Sequence, residues 1–366
     1  MTTSALDIVI FAPLAPILGV ILFWFIQLLF IESQKYILSK IKKKHEPLCR
    51  FTNFLGIFFQ SICHALGYTV TRSGISNFYI SVDYGRVSPK KEKKGIFEWV
   101  SNSFLFIGPF FIPASLILIC LFFLAQNSFN ILPTTSDLIK YTFSNQLIIF
   151  GSDLYHFSEG FFGFLFTMDL FHPGHLGFLI LLIFLGMGIR PSYIGEKKIE
   201  RVDMMYDLKN IKNHIKNQPL YISALFMIAY IFFYISIFFQ QDWYVVFFSV
   251  LGWISIISIV SLIIAHMLLI LIREVDKLSG IKKYLPYIML PSSYCIMRLL
   301  FFIFPSDFSN SLSLFVMIFS TIILVILLEQ ISKKDTTNKF KTGIDMKSLK
   351  KLTEGENGGS RRIIRK

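Results

Sequence analysis

His64 and Tyr68 stand four residues apart in the apolar stretch Phe51–Val70, FTNFLGIFFQSICHALGYTV. On an α-helix, positions i and i+4 share one face, so two imidazoles so placed can hold one metal ion. A carboxylate directly after the first histidine would take a proton from a metal-bound water. A further ligand from elsewhere would leave the fourth zinc position for that water. This stretch supplies an imidazole at His64, a methyl at Ala65 and a phenol at Tyr68. A phenol, with a pKa of ~10, is a poor zinc ligand near neutral pH. Loss of a general base costs about 10²–10⁴ in rate. A histidine at membrane depth is costly and marks a candidate functional position. The bland alternative is a neutral imidazole bonded to a neighbouring helix, with Tyr68 a core aromatic that meets it one turn away.

A second set of ligand-type residues is His172-Pro173-Gly174-His175, where Pro-Gly forces a turn between two imidazoles. With His156 and Glu159 upstream, three nitrogens and a carboxylate could converge on one metal. The alternative is an ordinary loop leading into the next apolar run. His266 and Arg298 each lie inside a long apolar run and are expected to face the bundle interior, with no charged partner assigned. Cys49, Cys63, Cys120 and Cys295 form neither a CxxC pair nor a Cys/His cluster, which excludes a zinc ribbon and a disulfide framework. There is no Gly-rich phosphate loop, and Ser192 after Pro191 lacks the context of a nucleophile elbow.

The elements that must position these groups are membrane helices. The chain is 54% hydrophobic, its mean hydropathy is +0.61, and it contains several runs of about 20 apolar residues. This predicts an all-α polytopic membrane protein with about eight transmembrane helices. The spans are expected near 8–31, 51–70, 103–125, 176–189, 220–239, 243–272, 287–304 and 312–328. The first is too long for a signal-peptide core and follows no basic segment, so it is expected to stay as a membrane helix. Pro13 and Pro16 should kink it. After the second helix, Phe78–Val82 is β-prone and Asp83-Tyr84-Gly85-Arg86 reads as a turn, which predicts a short hairpin. Residues 147–170 are apolar but dotted with polar groups and read as interfacial or partly re-entrant. Four regions follow: an N-terminal helix and basic linker (1–50), a membrane core (51–218), a four-helix membrane region (219–331) and a basic tail (332–366) expected to be disordered.

The net charge of +13 would suggest nucleic acid in a soluble domain. No soluble domain is present to bind it, and the positive residues lie in short loops and the tail. They therefore set orientation and favour anionic lipid. With the tail in the cytoplasm and spans alternating backwards, 28 Lys and Arg fall inside, including those of 71–98, and one falls in the outer 126–175 segment. The six basic residues of 35–50 fall outside if Phe51–Val70 crosses fully, and inside if it is re-entrant.

The order of these features resembles the site-2-protease-like intramembrane metalloproteases, in particular their prokaryotic branches. Four local matches carry the resemblance. They are His64-Ala65-Leu66-Gly67-Tyr68, where the family has His-Glu-Leu-Gly-His; the β-prone loop with Tyr84-Gly85-Arg86-Val87; Gly108-Pro109-Phe110 opening the next helix; and the span ending in Gly186 to Pro191-Ser192. They cover residues 51 to about 205, and the spans beyond 218 lie outside them. The resemblance implies that His64 keeps the first metal ligand, Ala65 removes the base and Tyr68 replaces the second ligand. The family's aspartate, four residues after the proline matched by Pro191, falls on Gly195. The adjacent Glu196 could partly substitute, or could simply open a cytoplasmic helix, where its charge suits the dipole.

The implied function is that of a catalytically inactive relative, binding membrane clients or a partner protein and carrying no cofactor. Two other functions stay open. One is an active zinc-dependent membrane protease using His64, Glu196 and Asp203. The other is a transporter or lipid-handling protein with His266 and Arg298 lining its path.

Overall fold

The computed structural model describes residues 6–82, 85–91, 95–124, 141–189, 216 and 219–332. Pro191, Gly195, Glu196, Asp203 and the tail from residue 333 lie outside the described residues. The described chain is helical apart from one two-stranded antiparallel sheet. A π-helical turn, Asp7–Phe11, leads into α1, Leu14–Ile41, followed by α2, Glu46–Val70. Strands β1, Ile75–Ile80, and β2, Gly85–Pro89, form the expected hairpin. Then come α3, Ile96–Leu124; α4, Phe143–Thr167; α5, Pro173–Gly188; α6, Pro219–Phe238; α7, Trp243–Val275; α8, Leu285–Ile303; and α9, Ser309–Ser332. Among the described residues, four helices are long and apolar enough to cross a membrane: Asp7–Ile41, Trp243–Val275, Leu285–Ile303 and Ser309–Ser332. Gly108–Leu124, Pro173–Gly188 and Ile222–Phe238 are shorter apolar helices. The chain divides into two compact units, residues 1–270 and 271–366.

In the first unit the prolines near the N-terminus dictate what surrounds them. Pro13 and Pro16 supply no N–H, so this turn cannot close its own hydrogen-bond ladder. Tyrosines from other helices donate instead: Tyr234 to the Val9 carbonyl and Tyr230 to that of Ile10, both at 2.7 Å, and Tyr244 to that of Pro13 at 2.5 Å. Asp7 Oδ1 accepts from the Phe143 N–H at 3.3 Å, which ties the start of α4 to the same turn. Such bonds between membrane helices average about 0.6 kcal/mol and reach about 1.7. Tyr234→Phe should therefore destabilise the purified protein by about 0.6–1.7 kcal/mol in a reversible SDS titration.

α1 and α7 run in the same direction. Pro13 bonds to Tyr244 near their starts; further along, Phe30 meets His266 edge-on at 6.2 Å and Gln34 Nε2 donates to the Leu262 carbonyl at 3.1 Å. α4 runs beside both. Gly19 lies against the Phe150 ring and Gly252 against Leu154, Asp153 accepts from Ser249 at 2.8 Å, and Phe157 stacks on Trp253 at 5.3 Å. Residues 143–167 thus form a helix packed against α1 and α7, with Asp153 bonded to Ser249 and Trp253 of α7. α2 is one continuous helix, so 35–45 and 71–75 lie at its opposite ends. The parallel course of α1 and α7 puts 42–45 at the end of the first unit that Ile270 approaches.

In the second unit, Arg298 on α8 is half-buried and donates to Ser309 Oγ at 3.3 Å and to Asn310 Oδ1. A hydroxyl and an amide at the start of α9 thus receive its guanidinium. Glu274 takes both Arg273 and Lys277, and Lys277 also reaches Glu329 at 3.8 Å.

Candidate functional site

The His64 turn is held by the way α2 ends. The Ser73 N–H donates to the Tyr68 carbonyl at 2.9 Å and the Arg72 N–H to that of Thr69 at 3.0 Å, with Arg72 at φ 54°. This is a Schellman stop with arginine in the left-handed position that glycine usually takes. Three buried hydroxyls back it. Thr71 Oγ1 lies 2.9 Å from Ser73 Oγ and 3.1 Å from Ser101 Oγ, and it also donates to the Gly67 carbonyl at 2.9 Å. α3 packs antiparallel against this face. A Cβ on Gly67 would lie 3.0 Å from the Ser101 carbonyl oxygen, and one on Gly108 would lie 2.9 Å from Cys63 Sγ.

The hairpin does not project away from the bundle. It folds back along α2, from Ser73 beside Tyr68 to Val82, whose carbonyl accepts from Asn53 Nδ2 at 2.8 Å. That return covers roughly 22 Å of helix at 1.5 Å per residue. Gly85 makes the close approach possible, since a Cβ there would fall 2.6 Å from Ser61 Oγ and 2.7 Å from Ile57 Cγ2. β1 pairs with β2 from Ile80↔Gly85 to Ile75↔Pro89, with an irregularity between Ile75 and Asn77. Phe78 and Tyr79 are each 51% exposed.

His64 is half-buried on this helix, and its Nδ1 is sealed without a hydrogen-bond partner. Its ring stacks on Tyr68 with centroids 5.7 Å apart and planes 25° from parallel. The i, i+4 relation thus brings the two rings together, and the position of a second imidazole ligand is filled by a phenol lying against the first. Where Pro191 and Glu196 fall relative to His64 lies outside the described residues.

The second histidine set splits into pairs. His172 and His175 face each other with centroids 4.7 Å apart. His175 Nδ1 accepts from the Asp169 N–H at 3.1 Å, which commits that nitrogen as an acceptor. His156 Nδ1 lies 3.9 Å from Glu159 on an exposed turn of α4. Among the described residues, no three His, Cys, Asp or Glu side chains gather as a metal-holding group. His266 is half-buried against Phe30.

Sequence reasoning missed the fold-back of the hairpin. Its one signal was Gly85, read as a turn residue, whereas the structure uses its missing side chain for contact with α2. No family model matches the chain, and neither a curated protein nor a solved structure matches it.

Proposed function

We propose that this integral membrane protein is a non-catalytic relative of the site-2-protease-like intramembrane metalloproteases that binds membrane clients or a partner protein. The observation that carries this reading is the stacking of His64 on Tyr68 with Ala65 between them. A zinc site there would need a second ligand where a phenol ring occupies the face, and a base where there is a methyl. The hairpin supports the binding half of the reading. It lies along the same helix, offers two aromatic side chains to its surroundings, and carries no third strand among the described residues. An extended segment of a client can add to such an edge by main-chain hydrogen bonds. In this reading eight helices span the bilayer, namely α2 with the four long and three shorter apolar helices, and the basic tail lies on the cytoplasmic side against anionic lipid. Pro191 and Glu196 remain as remnants of the third-ligand segment.

Metal analysis of the purified protein tests the proposal. The wild-type chain and His64→Ala should both carry zinc far below one ion per chain after equilibration with zinc and desalting. One tightly held zinc per wild-type chain, lost in His64→Ala, would show a working metal centre and overturn the non-catalytic reading.

A further inference from the structure

Gln27 on α1 is fully buried, and neither Nε2 nor Oε1 of its amide has a hydrogen-bond partner. One turn earlier, the indole Nε1 of Trp24 is also buried and unpartnered. Positions 24, 27, 31 and 34 form one helix face, and contacts at its two ends show where it looks. The Trp24 ring meets Phe110 of α3 edge-on at 6.0 Å, and Gln34 Nε2 donates to the Leu262 carbonyl of α7 at 3.1 Å. Ser258 Oγ of α7 donates to the Phe110 carbonyl at 3.0 Å, which closes the triangle of α1, α3 and α7. Gln27 therefore sits in the seam where three helices meet.

Buried polar groups are nearly always paired, so two orphans on consecutive turns call for an explanation. An indole N–H together with a whole amide offers donors and an acceptor that a water molecule satisfies. A water also needs room, and the amide atoms of Gln27 present no accessible surface. Hydration therefore requires the seam to part. α3 carries Pro109 and Pro113 beside Phe110, so its ladder is interrupted where it meets the seam, and Pro13 and Pro16 lie where the π-helical turn joins α1.

We propose that the Trp24–Gln27 turn is a water-binding site which the α1–α3–α7 seam opens and closes, and that this structure is its closed form. Water is the ligand, and the open form is the one in which the indole and the amide are satisfied. The proposal does not depend on the His64 site.

Gln27→Cys and Leu182→Cys, compared in the full chain in lipid nanodiscs, test it. Leu182 is 0% exposed and lies on α5, outside the three helices of the seam. A charged, water-borne methanethiosulfonate should label Cys at 27 about tenfold faster than at 182, read from the mass of the peptide, because local opening exposes only the hydrated face. Equal rates at the two positions would overturn the proposal. Should Gln27→Cys fail to fold, the unaltered protein carries a second measurement. The Trp24 indole N–H should exchange with D₂O about tenfold faster than that of Trp253, which donates to the Asp153 carbonyl at 3.3 Å. A Trp24 proton as slow as that of Trp253 would mean a permanently dry seam and sink the idea.

Discussion

Tyr244→Ala is expected to destabilise the first unit by about 2–3 kcal/mol, and Tyr244→Phe by about 0.6–1.7 kcal/mol, in a reversible SDS titration. Tyr244 is 1% exposed. Its hydroxyl serves the Pro13 carbonyl, and its ring touches Phe232, Phe233 and Phe248 with centroids 5.9, 5.1 and 4.8 Å away. Part of the usual core-truncation cost is transfer from water, and that part falls away where lipid is the alternative solvent. The cavity part remains: about 100 Å³ of lost side chain at roughly 24 cal/mol per Å³ gives about 2.4 kcal/mol, less if the site collapses. The phenylalanine variant isolates the hydroxyl. Its loss removes the bond that ties α7 to the start of α1, so the smaller change is still measurable. A Tyr244→Ala protein as stable as Tyr244→Phe would show that the aromatic cluster does not hold α6 and α7 to the start of α1.

This cluster also shows what could and could not be read from residue order. Pro13 and Pro16 announce an interrupted helix, and the structure has a π-helical turn there. That three tyrosines some 220 residues away would donate to carbonyls of this turn follows only from tertiary packing. The His64 helix is legible because a run of apolar residues needs no distant partner to be recognised. The His64–Tyr68 contact is legible because it is local.

Residues 143–167 are not legible in the same way. Hydropathy averages Asp153, His156 and Glu159 into a single window value, although they do different things. Asp153 accepts from Ser249 and Trp253 inside the bundle, while His156 and Glu159 pair on an exposed turn. Gln27 escapes notice for the opposite reason, since one amide among some twenty apolar residues barely changes a window average. Of the candidate site, the half resting on Pro191 and Glu196 stays a matter of sequence alone.

Gly186→Ala should be among the most damaging single-methyl changes in the chain, costing about 3 kcal/mol or more and depleting the monodisperse peak in detergent size-exclusion chromatography. A Cβ at 186 would lie 2.0 Å from the carbonyl oxygen of Ser261 and 2.5 Å from its carbonyl carbon. Both are backbone atoms of α7, so no rotamer change relieves the clash, and α5 must move away bodily. That displacement would also disturb Met187, which packs with Leu55 of α2 and Ala265 of α7 in one buried cluster. Other glycines supply the controls. At Gly188 the added methyl meets the Phe59 ring at 2.3 Å, a side chain that can turn, so Gly188→Ala should cost less. Gly151 and Gly163 on α4 have nothing within 4 Å of an added Cβ. Alanine at either should be neutral or stabilise the helix by up to about 1 kcal/mol. The ranking 186, then 188, then 151 and 163 is a test of helix proximity: close approach of backbones, with little water-driven force between helices, is what holds such a bundle together. If Gly186→Ala behaved like Gly163→Ala, α5 would not lie against α7 in the membrane, and the support it gives the His64 helix would be absent as well.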